Sequence, residues 1–493
     1  MAPAASRPAP GARRATSARA TLLVVLAGFL ALPMSMSGAS VAIPRIAAGL
    51  GTGGAAAQWV VTAYFLTASA LMLISGSLAD AVGRRRVYRA GAVAYATGSL
   101  AAALAPGIGV LLAARVLTGA GAAGVMAAGG ALVAATFSGR ARTRAFAAVG
   151  TTAGLGLALG PPVSGWLVDA LGWRLGFAVF ALAGLGLVAG TWALPESRAA
   201  TRPRVDWAGA ALIASGLAGT LLAVSQGPGR GWTDPLVLGA AAVGVLGIGL
   251  AVAVERRVPH PVLELRLLRR RRFMGWLLAA GTMALGFGGV LSFLPSYLQS
   301  PAGYSATAAG AVMLLPTIPM VGLPPLAAAA INRGASPGAL VTGALLLLAA
   351  GNAWLTVLAP DVGLATLAGP LLAVGAGVGL ASGTIDAQAM DQIDEDHVGM
   401  AAGMLNTVRA AANALVLALF GAALVGLLSA RLGSSELAGR VVTGNVPAAG
   451  ADTLAAHLTD VWHLTLWAAT GVCVAGAVAT GVLVRDGARR NGR

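Results

Sequence analysis

The sequence predicts an all-α polytopic membrane protein of fourteen transmembrane helices, and three observations carry that reading. Hydrophobic residues make up 57% of the 493 and charged residues only 10%, too few charges to cover the surface of a soluble protein of this size. The charges fall in short clusters between apolar runs of about 20 residues, the length that crosses a bilayer as a helix. These clusters alternate between arginine-rich and arginine-poor, and that alternation sets an orientation through the positive-inside rule.

Residues 1–20 are rich in Pro, Ala and Arg and read as a disordered cytoplasmic tail. Arg13, Arg14 and Arg19 ahead of an apolar run mimic a signal peptide, but the run is too long for an h-region and further spans follow it. Spans are read at Thr21–Ile43, Trp59–Leu78, Val87–Leu104, Ile108–Ala135, Ala145–Leu167 and Trp173–Leu194. Two more follow at Trp207–Val224 and Leu236–Val254. The last six are Phe273–Leu298, Ala306–Ile331, Ala339–Leu358, Val362–Ala387, Val398–Ser429 and Leu464–Val484. Residues 485–493 form a second basic tail.

Arginines cluster at 13–19, 84–89, 140–144, 198–204, 256–272, 333 and 485–493, which is every second loop. The intervening loops hold Arg45, Arg230, Arg431 and Arg440. Both termini are therefore expected in the cytoplasm. The loop with Asp391, Asp394, Glu395 and Asp396 is acidic on the inner side, but acidic residues weigh little in this rule. The densest basic loop contains Glu264-Leu265-Arg266-Leu267-Leu268-Arg269, an amphipathic piece suited to an anionic lipid surface. The formal net charge of +16, with no lysine in the chain, belongs to these loops. No soluble basic domain remains for nucleic acid once the spans are removed. The one cysteine, Cys473, excludes an internal disulfide and makes no metal-thiolate site. Metal-spaced histidines, a nucleophile–base pair and a Walker pattern are all missing, so neither an enzyme nor a metal or organic cofactor is expected.

The most informative segment runs Gly76-Ser77-Leu78-Ala79-Asp80-Ala81-Val82-Gly83-Arg84-Arg85-Arg86, between the second and third spans. Its order, G-x-L-A-D-x-x-G-R-R, resembles the signature loop of the major facilitator superfamily of secondary transporters. Arg115-Val116-Leu117-Thr118-Gly119-Ala120-Gly121-Ala122-Ala123 in span 4 resembles that family's R-x-x-Q-G-x-G-A-A, with Thr118 where glutamine is usual. A guanidinium in an apolar span must face a cavity or a partner, so Arg115 has either a transport or a structural hydrogen-bonding role. Span 5 carries Gly156-Leu157-Ala158-Leu159-Gly160-Pro161-Pro162-Val163-Ser164-Gly165, similar to the exporter pattern G-x-x-x-G-P-x-x-G-G. Gly156 and Gly160 share a helix face and Pro161 removes a backbone donor. Gln58-Trp59-Val60-Val61-Thr62-Ala63-Tyr64, Gly172-Trp173-Arg174 and Ser296-Tyr297-Leu298-Gln299 complete a likeness to the fourteen-span drug:proton antiporters, over Thr21 to Val484.

The resemblance implies the major facilitator fold. Two related six-helix halves, residues 21–200 and 257–484, would surround a central cavity, with two inserted spans in 201–256. It implies that the signature loop with Asp80 latches the halves in one state. The second copy of that loop falls near Ala327 to Gly334 and lacks its acidic residue. It also implies proton-driven export of a drug, antibiotic or secondary metabolite from the cytoplasm of a bacterial cell, through the inner (plasma) membrane. The expected partners are a small-molecule cargo and the lipid bilayer, with no obligatory protein partner.

One position departs from the family. Its span 1 pattern, L-D-x-T-x-x-N-x-A-L-P, carries an aspartate where this chain has Ser35, and no carboxylate lies within Thr21–Ile43. Asp386 is the carboxylate that falls clearly inside an apolar run, where desolvation favours proton exchange. It is read either as a membrane-boundary residue or as the coupling group. His463 lies at the outer end of span 14 and reads as an interfacial histidine. Ser35, Ser37 and Ser40 offer hydrogen bonds rather than charge, so a neutral or anionic amphipathic cargo fits as well as a cation. Ser35, Arg115, Gly119 and Asp386 are the candidate cavity residues. An uncoupled facilitator or importer is the alternative transport function, and a non-transporting membrane sensor or scaffold the alternative of another class.

Overall fold

The computed structural model describes residues 10–52, 54–197, 207–255, 270–391, 398–444, 446–447 and 450–485, and among these no strand occurs. The first helices are α1 (Pro10–Leu50), α2 (Gly54–Val82), α3 (Arg84–Ala103), α4 (Ile108–Thr136) and α5 (Gly139–Gly190). Then come α6 (Trp207–Arg230), α7 (Pro235–Glu255) and α8 (Arg271–Gln299). Three short helices follow, α9 (Ala306–Val312), α10 (Leu314–Gly322) and α11 (Pro324–Asn332). The chain continues through α12 (Pro337–Trp354), α13 (Leu364–Met390), α14 (Val398–Leu432), α15 (Ser435–Val442) and α16 (Ala451–Arg485). Ten helical segments of the described residues are long and apolar enough to cross a membrane, eleven if the bent α2 is counted as one span. The apolar part of α6, Ala211–Val224, is shorter than that threshold. The amphipathic piece at 264–269 and the acids Asp394, Glu395 and Asp396 lie outside the described residues.

Three boundaries differ from the sequence reading. α1 starts at Pro10, so part of the expected tail is helical; its Ala- and Arg-rich composition favours a helix, and proline is tolerated at the first position. Span 10 is broken into α9, α10 and α11. Pro316 has no N–H to offer the Val312 carbonyl, where α9 stops, and Pro324 opens α11. α16 begins at Ala451, well before the apolar run at Leu464. Polar residues such as Asp452 and Asp460 end a hydrophobic stretch without ending a helix.

At 52 residues α5 would be about 78 Å long if straight, more than twice the hydrocarbon thickness of a bilayer. It reverses at Gly172, whose φ of 80° and ψ of 160° are open to glycine alone without strain. Both limbs lie along α1. Gly156 backs onto Leu30 and Gly160 onto Met34 and Gly38, so the first limb is parallel to α1. Trp173 meets Gly49 and Gly190 meets Val24, so the second limb is antiparallel.

The same pairing recurs later in the chain. α8 packs on α14 through Gly288 against Val416 and Gly289 against Phe420, and on α16 through Gly286 against Cys473 and Gly275 against Val484. α3 and α4 close on one another at Gly91, Gly121 and Gly124; α12 and α13 do so at Gly351 and Gly377. Glycine at these crossings lets backbones approach to distances that a Cβ forbids: one at Gly91 would stand 2.8 Å from the Gly121 carbonyl oxygen. Buried apolar clusters fill the space between helices, one around Val25, Tyr64, Tyr88 and Val125 and another around Trp276, Leu348 and Val378. A third, with Ile43, Phe65, Phe293, Phe420 and Trp462, joins early helices to late ones.

Candidate functional site

The signature loop lies between α2 and α3. Gly83 takes φ 128°, the region that excludes side chains, and turns the chain within one residue. The Arg84 Nε and Nη2 donate to Asp80 Oδ1 at 3.1 and 2.9 Å, and the Arg84 backbone N–H donates to the Ser197 carbonyl at 3.0 Å. Arg86 approaches Glu196 at 3.8 Å, and Arg89 Nε donates to Thr191 Oγ1 at 3.0 Å. In this state the loop binds the segment that follows α5, and Asp80 is paired inside its own loop. Arg85 is half-buried, and Gly76 has open space beside it.

Arg115 on α4 is fully buried. Its Nε donates to the Val60 carbonyl on α2 at 2.8 Å, and its guanidinium carbon lies 4.5 Å from the Tyr64 ring centre and 5.5 Å from that of Phe177. The Tyr64 hydroxyl donates in turn to the Leu32 carbonyl on α1 at 3.3 Å. Gly119, one turn on, allows α4 to touch α2, since a Cβ there would stand 2.6 Å from the Tyr64 carbonyl oxygen. Thr118 turns its hydroxyl back to Ala114 and Arg115 of its own helix, both at 2.9 Å, and so offers no polar arm to a neighbour. Ser35 is buried and lines a small cavity of about 20 Å³ with Ser164, Trp173, Phe177 and Phe180.

The span 5 motif is wedged between two neighbours. Gly156 and Gly160 face α1, while Gly165 meets Ala306 of α9 and Pro161 meets Gly310. The two prolines remove two consecutive backbone donors, freeing the carbonyls of Leu157 and Ala158. The Ser37 hydroxyl of α1 donates to Leu157 at 2.7 Å, with Pro33 of its own helix a second acceptor at 3.1 Å. The Thr317 hydroxyl of α10 donates to Met313 of its own helix at 2.7 Å and shares that proton with Ala158 at 3.2 Å. Each freed acceptor thus has a hydroxyl within reach from a different side, an arrangement the motif alone does not reveal.

Asp386 on α13 accepts from Arg409 Nη2 of α14 at 2.6 Å, with close to half of the Asp386 side chain exposed. Arg115 and Asp386 do not meet; each has other partners. At the end of the bundle that holds the α5 reversal, Asp169 Oδ2 accepts the Thr307 backbone N–H at 2.6 Å and Oδ1 lies 3.6 Å from Arg45. Gln299 Nε2 donates to the Val41 carbonyl of α1 at 3.0 Å, and Gly444 packs on Pro44. Asp169 falls two residues past the end of span 5 as read from the sequence, and Gln299 entered that reading only as part of a motif. His463 bonds the Leu358 carbonyl at 2.9 Å.

Residues 25–417 match the Major Facilitator Superfamily profile. The chain is 32% identical over 468 residues to the puromycin resistance protein pur8 of Streptomyces alboniger, covering 94% of this chain and 90% of that one. It is also 32% identical to the probable actinorhodin transporter of Streptomyces coelicolor, over 91% of this chain and 79% of that one. A solved bacterial homologue of the human lysosomal transporter Spinster superposes with a TM-score of 0.65 at 16% identity, covering 98% of both chains. An auto-inhibited peptide transporter of the POT family does so with a TM-score of 0.66 at 15% identity, covering 94% of this chain and 96% of that one. At such identities the structural likeness concerns the fold alone. The chain belongs to the Major Facilitator Superfamily, and it resembles that family's drug- and antibiotic-resistance transporters.

Proposed function

We propose that this superfamily member exports a small amphipathic molecule, a drug, antibiotic or secondary metabolite, across the plasma membrane by alternating access, drawing on the proton gradient. The observation that carries the proposal is the match to an antibiotic-resistance protein over nine-tenths of both chains. The span 5 motif adds to it, since its glycines and prolines sit at the contact between α1 and α9–α10.

A fourteen-span arrangement is supported by counting the two limbs of α5 separately and by adding the bent α2, the less hydrophobic α3, and α6. The division into residues 21–200 and 257–484 is supported by the repeated pairing: α8 stands to α14 and α16 as α1 stands to the two limbs of α5. On that reading α6 and α7 are the inserted pair, and the arginine distribution puts both termini in the cytoplasm. The contacts of Asp169 with Thr307 and of Gln299 with Val41 then join the halves on the outer side and describe a carrier closed to the outside. The halves would rock about the span 5 contact, and Asp386, in reach of the inner aqueous side, would exchange the proton in competition with Arg409.

Ser35 in place of the span 1 aspartate favours a second reading, an uncoupled facilitator. Expression in a bacterial strain stripped of its own efflux carriers tests the export proposal. A panel of antibiotics and polyketide pigments should include compounds whose inhibitory concentration rises at least about fourfold, with lower accumulation in the cells. Unchanged sensitivity and accumulation across the panel, with the protein present in the membrane, would count against export and favour a sensor or scaffold.

A further inference from the structure

Thr307, in the first turn of α9, is held twice by the end of the first limb of α5. Its backbone N–H donates to Asp169 Oδ2 at 2.6 Å, and its hydroxyl donates to the Gly165 carbonyl at 3.4 Å. The first turn of a helix leaves its backbone donors without partners inside the helix. In α9 the Ala308 N–H is taken locally by the Ser305 hydroxyl at 3.1 Å, whereas the Thr307 N–H is taken by an acid 138 positions away. The sequence places that acid. Gly172 reverses the chain just after Asp169, and Gly165, just before it, has no Cβ to hold the α9 backbone off at Ala306.

A carboxylate accepting from a backbone N–H forms a charge-assisted bond, about twice as strong as a neutral one. The Asp169 side chain is 24% exposed, so much of it is out of water, whereas Arg45, 3.6 Å from its other oxygen, is 63% exposed. An ion pair that open to solvent contributes little, and the strength of the contact falls on the Thr307 bond. The neutral contact at the same end is weaker: Gln299 Nε2 bonds the Val41 carbonyl and the Pro295 carbonyl of its own helix, both at 3.0 Å, and keeps the second when α1 and α8 part. We propose that Asp169 is the latch of this end of the bundle: by completing the first turn of α9 from α5, it sets how often the two part. It is a positioning residue and does not touch cargo. The inference rests on the rocking of two halves proposed above, but on no particular cargo, coupling ion or orientation.

The test uses the purified full-length protein in detergent with a cysteine reporter. Ala39 on α1 is buried in the apolar cluster that joins early helices to late ones, and it lines the small cavity beside Ser35, which gives a thiol room. In a Cys473→Ser background, Ala39→Cys should react with a maleimide only while this end is open, so its rate follows the open population. Asp169→Ala should raise that rate roughly tenfold, and Asp169→Asn, which keeps a neutral acceptor, about threefold. Arg45→Ala should change it by less than about twofold. Thr307→Pro removes the N–H in a first turn, where proline is tolerated, and in that background Asp169→Ala should add nothing further. The Asp169 and Arg45 series decides by itself if Thr307→Pro does not fold. Cys473 in protein without the reporter is the control: it is buried where α16 meets α8 and should stay unreactive in every variant. A reporter rate unchanged by Asp169→Ala would overturn the latch. Additive effects of Asp169→Ala and Thr307→Pro would overturn it too, as would a Cys473 that becomes reactive in step with the reporter, which marks a loosened fold. The assay needs neither transport nor a membrane, so a failure of the export proposal and a failure of the latch are separate results.

Discussion

Asp386 on α13 and Arg409 on the next helix, α14, stand 23 positions apart in the sequence and meet at 2.6 Å. On the proposed coupling, a proton bound by Asp386 would compete with Arg409 for the carboxylate, so one exchange would bias α13 against α14. Asp386→Asn is expected to abolish transport driven by a pH gradient while leaving downhill exchange of cargo, both measured in proteoliposomes with the same preparation. Loss of both modes would assign the pair a structural role. In the first group of helices, Asp80→Asn removes the negative charge that assists the two hydrogen bonds from Arg84, leaving a neutral amide oxygen as their acceptor. A shift of about 1.4 kcal/mol between conformers changes their ratio tenfold, so transport should fall by roughly that factor with the protein still folded. An unchanged rate in the purified variant would show that the loop does not bias the cycle. Asp80, Arg84 and Asp386 were legible as sequence positions because charge is rare in this chain. The Arg409 partnership was not, because the register of α14 against α13 depends on packing and leaves no local signal. A cavity or a partner was anticipated for Arg115, but that no acid among the described residues pairs with it emerged only when its neighbours were placed.

Prolines that would weaken a soluble helix are accommodated in α5 by hydroxyls from the helices on either side. The bond from Thr317 to Ala158 links α10 to α5, and that from Ser37 to Leu157 links α1 to α5. A buried carbonyl left without a donor costs about 1–3 kcal/mol. Thr317→Val, isosteric but without the hydroxyl, should therefore destabilise the closed contact between α5 and α10 while sparing the α1 contact. Distance measurements between spin labels on the two helices should then show a larger separated population, and an unchanged distribution would remove Thr317 from the closure. Gly160→Leu should be more severe. Its side chain would enter the space held by Met34, Ser37 and Gly38, and packed helices do not yield that volume cheaply. Transport below about a tenth of the wild-type rate is expected, and wild-type transport would place this face against lipid. The Gly-Pro pattern disclosed the tight face of α5. It could not disclose the hydroxyl donors, which come from residues 120 and 159 positions away. Proline also hid the break of span 10, because hydropathy averages over helix ends while a missing N–H interrupts the ladder at one residue.

Across the whole molecule, apolar runs and the arginine alternation made the helical class and most helix positions readable, because a bilayer demands both. The pairing that α1 and α8 share was harder to see, because it depends on which helices touch and leaves no local pattern. Contacts between Asp169 and Thr307 or Gln299 and Val41 were out of reach of local pattern, since they depend on how far the two groups of helices have tilted together. Reporter fusions at Arg270 and after Arg493 should both report a cytoplasmic location; an external signal at either would dismantle the fourteen-span arrangement. The most direct test of proton-driven export uses inside-out membrane vesicles containing the protein, with a fluorescent cargo chosen by the resistance panel added to the outside. Acidifying the vesicle lumen should drive cargo inward above its equilibrium level, and a protonophore should release it. Cargo that only equilibrates, with or without the gradient, would contradict proton-driven export and leave a facilitator in its place.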